Sequence, residues 1–316
     1  MERLAYYIDA ATRINTKRSY QSAIRHYEVE WGGFLPATAE DVAKYLADHA
    51  AILTGNTLKS RLAALGQWHQ SQGFPDPTKA PLVRKIMKGI RMIHTHVERQ
   101  AKPLQLDVLT QTVSWLDEQI MRSDAQQPCL QHVRNKALLL LGFWRGFRSD
   151  ELVRLRIEHI QIQTGRGMVC FLPTSKADRD NRGRRYQVPA LKTLCPVDAC
   201  EAWLALAGLK AGPLFRGVDR WGRIKPDGLH VNSIVPLLRR VLAESGNALP
   251  ESYTSHSLRR GFANWAIANG WDIKTLMQYV GWRDLKSAMQ YVDATDPFVA
   301  FNAKLTLMGS PEDDQS

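Results

Sequence analysis

The spacing of apolar residues in the first 93 positions is the feature that most restricts the fold. Apolar side chains recur there every three or four residues, as in the run of Tyr20, Ile24, Tyr27 and Trp31. Such spacing places side chains on one face of a helix, whereas a strand requires alternation. We therefore predict that this part of the chain forms a group of short helices, each with one buried face.

Short-range signals indicate where these helices begin. Thr38 and Asp41 stand at capping-box spacing ahead of an apolar run, which predicts a helix start at Thr38. Asn56 or Thr57 is expected to begin the next helix, and Pro81 suits the first turn of the one after it. The predicted helices are separated by brief connections.

Residues 95–105 interrupt the helical pattern, because they lack apolar periodicity and contain Pro103. We interpret them as a linker between a helical domain, residues 1–94, and a second domain, residues 106–316. In the second domain, alternation in IEHIQIQ, MVCFL and RYQVPA predicts a small antiparallel sheet among further helices. The predicted fold class is mainly α, with a helical domain followed by a mixed α/β domain that carries this sheet.

The charge of the chain points to a class of partner. Its 316 residues include 42 Lys and Arg against 31 Asp and Glu, a net charge of +11, and both halves are positive. This surplus favours a polyanion, and nucleic acid is preferred over a membrane because no basic amphipathic anchor stands out. No apolar run approaches the roughly 18 residues that span a bilayer. The first residues also lack the order of a signal peptide, so we expect a soluble, intracellular protein.

The cysteines indicate neither a disulfide framework nor a zinc site. Four cysteines are few for a chain of this length, and they form no CxxC pair and no Cys/His ligand set. We expect Cys129, Cys170, Cys195 and Cys200 to be reduced thiols, and we expect no metal.

Two pairs of residues stand three positions apart. Arg148 precedes Ser149, a predicted N-cap, so its guanidinium should emerge at a turn with Glu151 close enough to brace it. His256 and Arg259 should share one face near the start of a helix. Taken alone, a capping or bridging role explains the first pair, and a structural histidine explains the second.

Three further residues follow in order along the chain. Lys176 lies in a predicted hairpin turn, Trp282 follows Gly281 at a predicted helix end, and Tyr291 stands nine residues after Trp282. Taken singly, they are a solvated turn lysine, an indole that fills the core and a half-buried tyrosine. Their order, together with the two charged pairs, is what makes the set distinctive.

Taken in order, these residues closely resemble the active-site signature of the tyrosine recombinase (phage integrase) family. The residues that carry the resemblance are Arg148, Glu151, Lys176, His256, Arg259, Gly281, Trp282 and Tyr291. It covers nearly the whole chain, as a helical core-binding domain, a linker and a catalytic domain with a small sheet. Trp at position 282, where many relatives have His, is similar to the Cre recombinase branch.

The resemblance implies that Tyr291 attacks a DNA phosphodiester to give a 3′-phosphotyrosine. A phenol with a pKa near 10 is a poor nucleophile unless its anion is stabilised or its proton is removed. Arg148 and Arg259 would bind the non-bridging oxygens of the scissile phosphate. Lys176 would protonate the leaving 5′-oxygen.

The other signature residues would support this reaction. The resemblance implies that His256 acts in acid/base support near the nucleophile and that the Trp282 N–H donates to a phosphate oxygen. Glu151 would orient His256 or Arg148. Arginines can supply the positive charge that a metal supplies elsewhere, so neither a metal nor any other cofactor is expected.

The resemblance also implies a two-domain clamp on double-stranded DNA. Phosphate contacts would position the protein, and helices of the first domain could reach the major groove. The expected DNA-contact residues are Lys59, Arg61, Arg84, Lys85, Lys88, Arg91, Arg182 and Arg184.

The implied assembly is a homotetramer on two recombination sites that reacts through a Holliday junction, with accessory proteins as further partners. Residues 296–308 are expected to form a last helix that packs on a neighbouring protomer, and packing on its own domain is the alternative. The resemblance suggests a bacterial or phage-like enzyme of the cytoplasm.

Three alternatives to recombination remain. A type IB topoisomerase-like enzyme would use the same chemistry without exchanging strands. A DNA-binding regulator would bind without cutting, although mere binding does not call for a phenol at position 291. A helical protein-interaction scaffold would leave both the charge and the ordered residues unexplained.

Overall fold

The computed structural model describes Arg3, Tyr6, Tyr7 and residues 14–94, 101–123, 129–174 and 182–292, apart from the side chains of Ser287, Gln290 and Val292. The chain divides into two compact units, Met1–Arg99 and Gln100–Ser316. Both are built mainly from helices, and the second also contains small antiparallel sheets, which confirms the predicted fold class. Within the described residues, no helix is both long and apolar enough to cross a membrane.

In residues 14–94 the first unit contains four α-helices around one core. They are α1 (Ile14–Arg25), which continues as a π-helical turn to Glu30, α2 (Ala39–Asp48), α3 (Gly55–Ser71) and α4 (Pro81–Ile93). Tyr27, Tyr45, Leu46, Leu58 and Leu65 are buried together at its centre. The apolar spacing in the sequence therefore corresponds to a real helical core.

Caps determine two of the helix starts in this unit. Thr38 accepts a hydrogen bond from the backbone N–H of Asp41, and the Asp41 carboxylate accepts from Thr38 in return, so the predicted capping box is present. Helix α3 begins at Gly55, earlier than expected from Asn56 or Thr57, because Thr54 caps it by accepting from the N–H of Thr57.

The second unit contains eight helices and five strands in its described part. The helices are α5 (Leu106–Arg122), α6 (Leu130–Arg145), α7 (Ser149–Val153), α8 (Pro196–Leu206), α9 (Ile234–Glu244), α10 (Ser257–Ala268), α11 (Ile273–Val280) and α12 (Leu285–Val292). Helix α6 lies at the centre, since nearly all of its residues from Val133 to Phe143 are buried. It packs against α5, α8 and α10, which carries Phe262 and Ala263 into the same core.

A three-stranded antiparallel sheet covers one side of this core. Strands β1 (Ile160–Gln163), β2 (Gly167–Leu172) and β3 (Arg184–Pro189) are neighbours in that order. Cys170 of β2 stands opposite Ile160 on one side and Tyr186 on the other. Alternate residues of β2 are buried, as the sequence pattern predicts.

A second, two-stranded sheet was not predicted. It joins β4 (Arg216–Val218) to β5 (Ile224–Gly228). These strands are short and lack alternation, so they show none of the usual strand signal. The Asp219 carboxylate orders their turn by accepting from the backbone N–H groups of Trp221 and Arg223.

The described end of the expected linker, residues 101–105, packs on the second unit. The backbone N–H of Lys102 donates to the carbonyl of Ser252, and that of Leu104 donates to the carbonyl of Ser257. The Leu104 side chain is fully buried. The independent part of the connection is therefore shorter than 95–105, because a buried leucine anchors its end beside the start of α10.

Candidate active site

The buried guanidinium of Arg259 lies at the centre of the site. This side chain has no exposed surface, and it donates to the carbonyl of Gly146 at 2.6 Å and to that of Val280 at 3.3 Å. Helices α6 and α11 end at these points, each followed by a glycine with left-handed backbone, Gly146 and Gly281. Carbonyls at helix C-termini favour a cation, so the local fold holds the guanidinium in one orientation.

Burial and, after it, the nearby positive charge of Arg148 lower the pKa of Arg259 to about 10, while Glu151 and Tyr291 act in the opposite direction. The side chain still remains charged at neutral pH. Because the side chain is buried, its charge acts strongly on any anion that approaches the site.

Glu151 connects the two arginines. Helix α7 begins after Arg148, whose backbone N–H donates to Glu151 Oε2 at 2.8 Å and whose Nη1 donates to Oε1 at 2.7 Å. Oε2 also lies 3.8 Å from Nη1 of Arg259. The Glu151 side chain is only 3% exposed, so its charge lies inside the site rather than in solvent.

Tyr291 reaches the same place from helix α12. Its hydroxyl oxygen lies 2.9 Å from Nδ1 of His256, the residue before α10. Its ring centroid lies 5.0 Å from that of Trp282, and the Arg259 guanidinium carbon lies 5.8 Å from the Tyr291 ring. The Tyr291 phenol, the His256 imidazole and the buried Arg259 guanidinium therefore lie next to one another.

Trp282 packs directly over the central arginine. The guanidinium carbon of Arg259 lies 5.0 Å from its ring centroid. The indole is only 7% exposed, and its Nε1–H has no hydrogen-bond partner among the residues that the structure describes. A buried donor without a partner is costly, which indicates that it serves a group that arrives with a ligand.

Six of the seven signature residues given a role by the resemblance are therefore neighbours in space. They are Arg148, Glu151, His256, Arg259, Trp282 and Tyr291. Lys176, expected in the hairpin after β2, lies outside the described residues. The described part of the chain contains no group of three or more His, Cys, Asp or Glu side chains that could hold a metal ion.

The expected DNA-contact residues lie in different environments. On α4, Arg84, Lys85, Lys88 and Arg91 are exposed, as are Lys59 on α3 and Arg182 before β3. Arg61 is partly buried and its side chain hydrogen-bonds to Tyr45, and its contact with DNA stays a prediction. Arg184 donates to the carbonyl of Gln278 at 2.6 Å, at the end of α11.

A further buried cation, Arg145, was not recognised from the sequence as part of the site. It is the last residue of α6, is 4% exposed, and places its guanidinium carbon 4.0 Å from the Tyr279 ring centroid and 4.7 Å from that of Tyr186. The sequence signal was its position three residues before Arg148, at the end of the apolar run 137–144 of a predicted helix.

All four cysteines are free thiols, with Cys170, Cys195 and Cys200 buried and Cys129 partly buried. Burial raises the pKa of the Cys170 thiol to about 12 and that of Cys200 well above its ordinary value. These thiols are neutral packing groups and supply no nucleophile to the site.

The arrangement can bind an anion and attack it. Arg259 and Arg148 offer fixed guanidinium groups, Trp282 offers an unused donor, and the Tyr291 hydroxyl lies beside an imidazole that can accept its proton. His256 is exposed and Tyr291 half-buried, so a large substrate can reach the hydroxyl. These are the components of nucleophilic displacement at a phosphate.

Comparison with known proteins gives a consistent result. Residues 115–297 match the phage integrase family. The integrase/recombinase XerD homolog of Selenomonas ruminantium is 28% identical over 305 residues, which cover 91% of this chain and 86% of that protein. Recombinase Cre of Escherichia phage P1 is 24% identical, covering 83% of this chain and 78% of that protein.

A solved structure shares the fold. The XerH site-specific recombinase, bound to a palindromic difH substrate in a post-cleavage complex, superposes with a TM-score of 0.63 at 18% identity. The alignment covers 93% of this chain and 80% of that one.

Proposed function

Because this chain belongs to the phage integrase family of site-specific tyrosine recombinases, we propose that it cleaves and rejoins DNA strands through Tyr291. The family resemblance expected from the sequence is confirmed by the match over residues 115–297. Relatives of both the XerD and the Cre type are similar to it, so the closer likeness to Cre stays a prediction.

One observation carries the proposal. The Tyr291 hydroxyl lies 2.9 Å from Nδ1 of His256 and beside the buried guanidinium of Arg259, although the three residues come from two helices. A phenol needs both a proton acceptor and a cation to attack near neutral pH. In the proposed reaction His256 receives or returns the phenolic proton as the 3′-phosphotyrosine forms and is resolved.

The two arginines bind the scissile phosphate in this proposal. Arg259 is held by the carbonyls of Gly146 and Val280, and Arg148 is held by Glu151. Each guanidinium is proposed to donate its remaining N–H groups to a non-bridging oxygen, whose charge grows in the transition state. Glu151 is a positioning residue that keeps Arg148 in place.

Leaving-group protonation completes the reaction. Lys176 is proposed as the general acid for the 5′-oxygen, because a mobile ammonium on a hairpin can follow the departing strand. The N–H of Trp282 is proposed to donate to a phosphate oxygen. The phosphotyrosyl bond conserves the energy of the broken bond, so the proposed reaction includes no ATP and no metal.

We propose that both units bind the same duplex, with residues 1–94 as the core-binding domain and residues 106–316 as the catalytic domain. The exposed basic residues of α4 and Lys59 support DNA contact by the first unit. Exchange of two strand pairs requires four active sites, which supports a homotetramer on two sites with a Holliday junction between the two exchanges. Accessory proteins, the exchange of residues 296–308 between protomers, and action on DNA in the cytoplasm complete the proposal.

Covalent capture tests this function. Nicked duplexes with a randomised centre are incubated with the protein, and adducts that survive denaturant are recovered and sequenced to obtain its site. We expect wild type to form such adducts on that site without added metal, and Tyr291→Phe to form none. An undiminished adduct from Tyr291→Phe would show that another residue is the nucleophile.

The same site separates recombination from topoisomerase-like relaxation. A supercoiled plasmid with two copies of the site should yield deletion or inversion products. Relaxed plasmid with no exchanged product would favour the topoisomerase alternative.

A further inference from the structure

Arg145 occupies an unusual position for a charged residue. Arg145 is only 4% exposed, and its guanidinium lies over the rings of Tyr279 and Tyr186, with the Phe147 ring centroid 6.0 Å away. Within the described residues its Nε and Nη1 have no hydrogen-bond partner, although the side chain hydrogen-bonds to Tyr279. Burial lowers the pKa of Arg145, and nearby Tyr279 and Tyr186 oppose this effect. Aromatic faces and the hydrogen bond to Tyr279 therefore hold the cation in place.

Tyr279 is the partner that ties Arg145 to a second helix. Its ring lies 4.0 Å from the Arg145 guanidinium carbon, and its hydroxyl donates to the carbonyl of Trp144 at 2.9 Å. Both contacts reach the last turn of α6 from the last turn of α11. Two separate interactions thus fasten the C-terminal ends of these helices to each other.

The same two helix ends hold Arg259. Gly146 directly follows Arg145, Val280 directly follows Tyr279, and the carbonyls of these two residues accept the hydrogen bonds of the Arg259 guanidinium. A change in the distance between the helix ends would therefore move both acceptors relative to each other. Arg145 is thus linked to Arg259 through the backbone that orients the Arg259 guanidinium.

We infer that Arg145 is a positioning residue for strand cleavage: stacked on Tyr279, it fixes the ends of α6 and α11 so that Gly146 and Val280 orient the Arg259 guanidinium toward the scissile phosphate. The inference rests on the proposed role of Arg259 in phosphate binding. The Arg145 guanidinium stacks on Tyr279 and Tyr186, whereas Arg259 lies against Trp282 and Tyr291, so the effect of Arg145 is on the geometry of the site. A displacement of about 1 Å at a catalytic group can slow a reaction by about 100-fold.

The experiment compares two substrates on the full-length protein. One is the nicked duplex recovered by covalent capture, and the other is the same duplex with a methylphosphonate at the scissile position. The methyl group replaces one charged non-bridging oxygen, so the transition state carries less negative charge and depends less on a correctly placed guanidinium. Single-turnover adduct formation is measured on both, together with DNA affinity and thermal unfolding.

Arg145→Met is the test variant, and Arg134→Met is its matched control. Arg134 lies on the same helix and is 6% exposed, but its guanidinium bonds to Asn135 and to the carbonyl of Arg216, away from Arg259. Arg259→Ala shows the pattern expected when the phosphate-binding guanidinium is absent. If Arg145→Met does not fold, Arg145→Lys is measured in the same way, since it keeps the charge but loses the planar stacking.

We expect Arg145→Met to bind DNA like wild type and to form the adduct on the phosphodiester about 10- to 100-fold more slowly. On the methylphosphonate it should recover most of that loss, as we also expect of Arg259→Ala. Arg134→Met should lose thermal stability and show no such preference. A wild-type rate for Arg145→Met, or for Arg145→Lys where that variant replaces it, would overturn the inference, as would equal losses on both substrates.

Failure of the proposed recombinase function would give results different from failure of the inference about Arg145. If wild type forms no adduct, the proposed recombinase chemistry is wrong. If Arg259→Ala shows no preference for the methylphosphonate, the phosphate-binding role of Arg259 is wrong and the role of Arg145 is rejected with it.

Discussion

The Glu151 carboxylate accepts two hydrogen bonds from Arg148, one from its backbone N–H at 2.8 Å and one from its guanidinium at 2.7 Å. One residue thus caps the start of α7 and orients a side chain proposed to bind phosphate. Oε2, which accepts from the Arg148 backbone N–H, also lies 3.8 Å from Nη1 of Arg259. A single buried charge is therefore shared between two guanidinium groups. Its removal should affect stability and chemistry to different degrees.

Substitution of Glu151 separates these two effects. Glu151→Ala leaves the Arg148 N–H and guanidinium unpaired, so we expect the free energy of unfolding to fall by about 3 kcal/mol. Glu151→Gln keeps an oxygen acceptor and the shape, so it should lose less stability, yet it removes the charge and should slow cleavage by about 10-fold. Urea unfolding and single-turnover adduct formation provide the two measurements. Full cleavage activity in Glu151→Gln would show that its charge has no part in orienting the arginines.

The unpartnered N–H of Trp282 predicts a variant that loses activity without losing stability. Trp282→Phe keeps an aromatic ring near Arg259 and Tyr291 but removes a buried donor that has no partner in the described structure. We expect thermal stability to fall only by the packing contacts that the smaller ring lacks. Cleavage should slow by about 100-fold, as for the loss of one transition-state donor. Trp282→His, which restores a ring N–H, should recover part of the rate. Unchanged cleavage in Trp282→Phe would exclude the N–H from phosphate binding.

Gly261 allows the chain before α5 to approach helix α10. A Cβ at this position would collide with the carbonyl of Leu104. The backbone N–H of Leu104 donates to the carbonyl of Ser257, which follows His256. Gly261→Ala should therefore displace residues 101–105, cost about 2 kcal/mol of stability and slow cleavage. Gly89→Ala is the control, because Gly89 lies inside α4 with open space around it and should gain about 0.5 to 1 kcal/mol. Equal stability of Gly261→Ala and wild type would contradict the close packing.

His26 should make the first unit sensitive to mild acid. Burial and the nearby charge of Arg61 lower its pKa from the ordinary 6.5, and Glu30 opposes them. His26 also bonds to the Tyr45 hydroxyl at 2.9 Å and lies beside the ring of His49. The folded state thus keeps the ring neutral, whereas the unfolded chain takes up a proton near pH 6.5, so the stabilisation is complete above that pH and is lost as the pH falls toward the lowered value.

Two measurements check this pH dependence. Urea unfolding should show a loss of stability as the pH falls below the ordinary 6.5, and this loss should be smaller in His26→Gln. The His26 ring signal in an NMR titration, assigned by its absence in that variant, should have a midpoint below 6.5. The exposed His230 serves as the control, and His230→Asn should leave the pH dependence unchanged. A His26 midpoint above 6.5 would reverse the predicted sign.

Local sequence was sufficient wherever the interacting groups are close along the chain. The capping box of Thr38 and Asp41, the pairing of Arg148 with Glu151 and the alternation of β2 all connect residues only a few positions apart. Their geometry follows from helix and strand periodicity, which the sequence displays directly. The order of the signature residues likewise predicted the family before any contact was known.

The tertiary structure decided where the buried cations point. Arg259 is held by carbonyls at the ends of two other helices, Arg145 stacks on Tyr279, and the Arg61 side chain hydrogen-bonds to Tyr45. A guanidinium can extend in many directions, and what packs around it comes from elements distant in sequence. The sequence by itself determined the helices, the small sheet and which residues form the signature. Only long-range packing determined which arginines are buried and which groups hold them, because the burial of a charge depends on partners from distant parts of the chain.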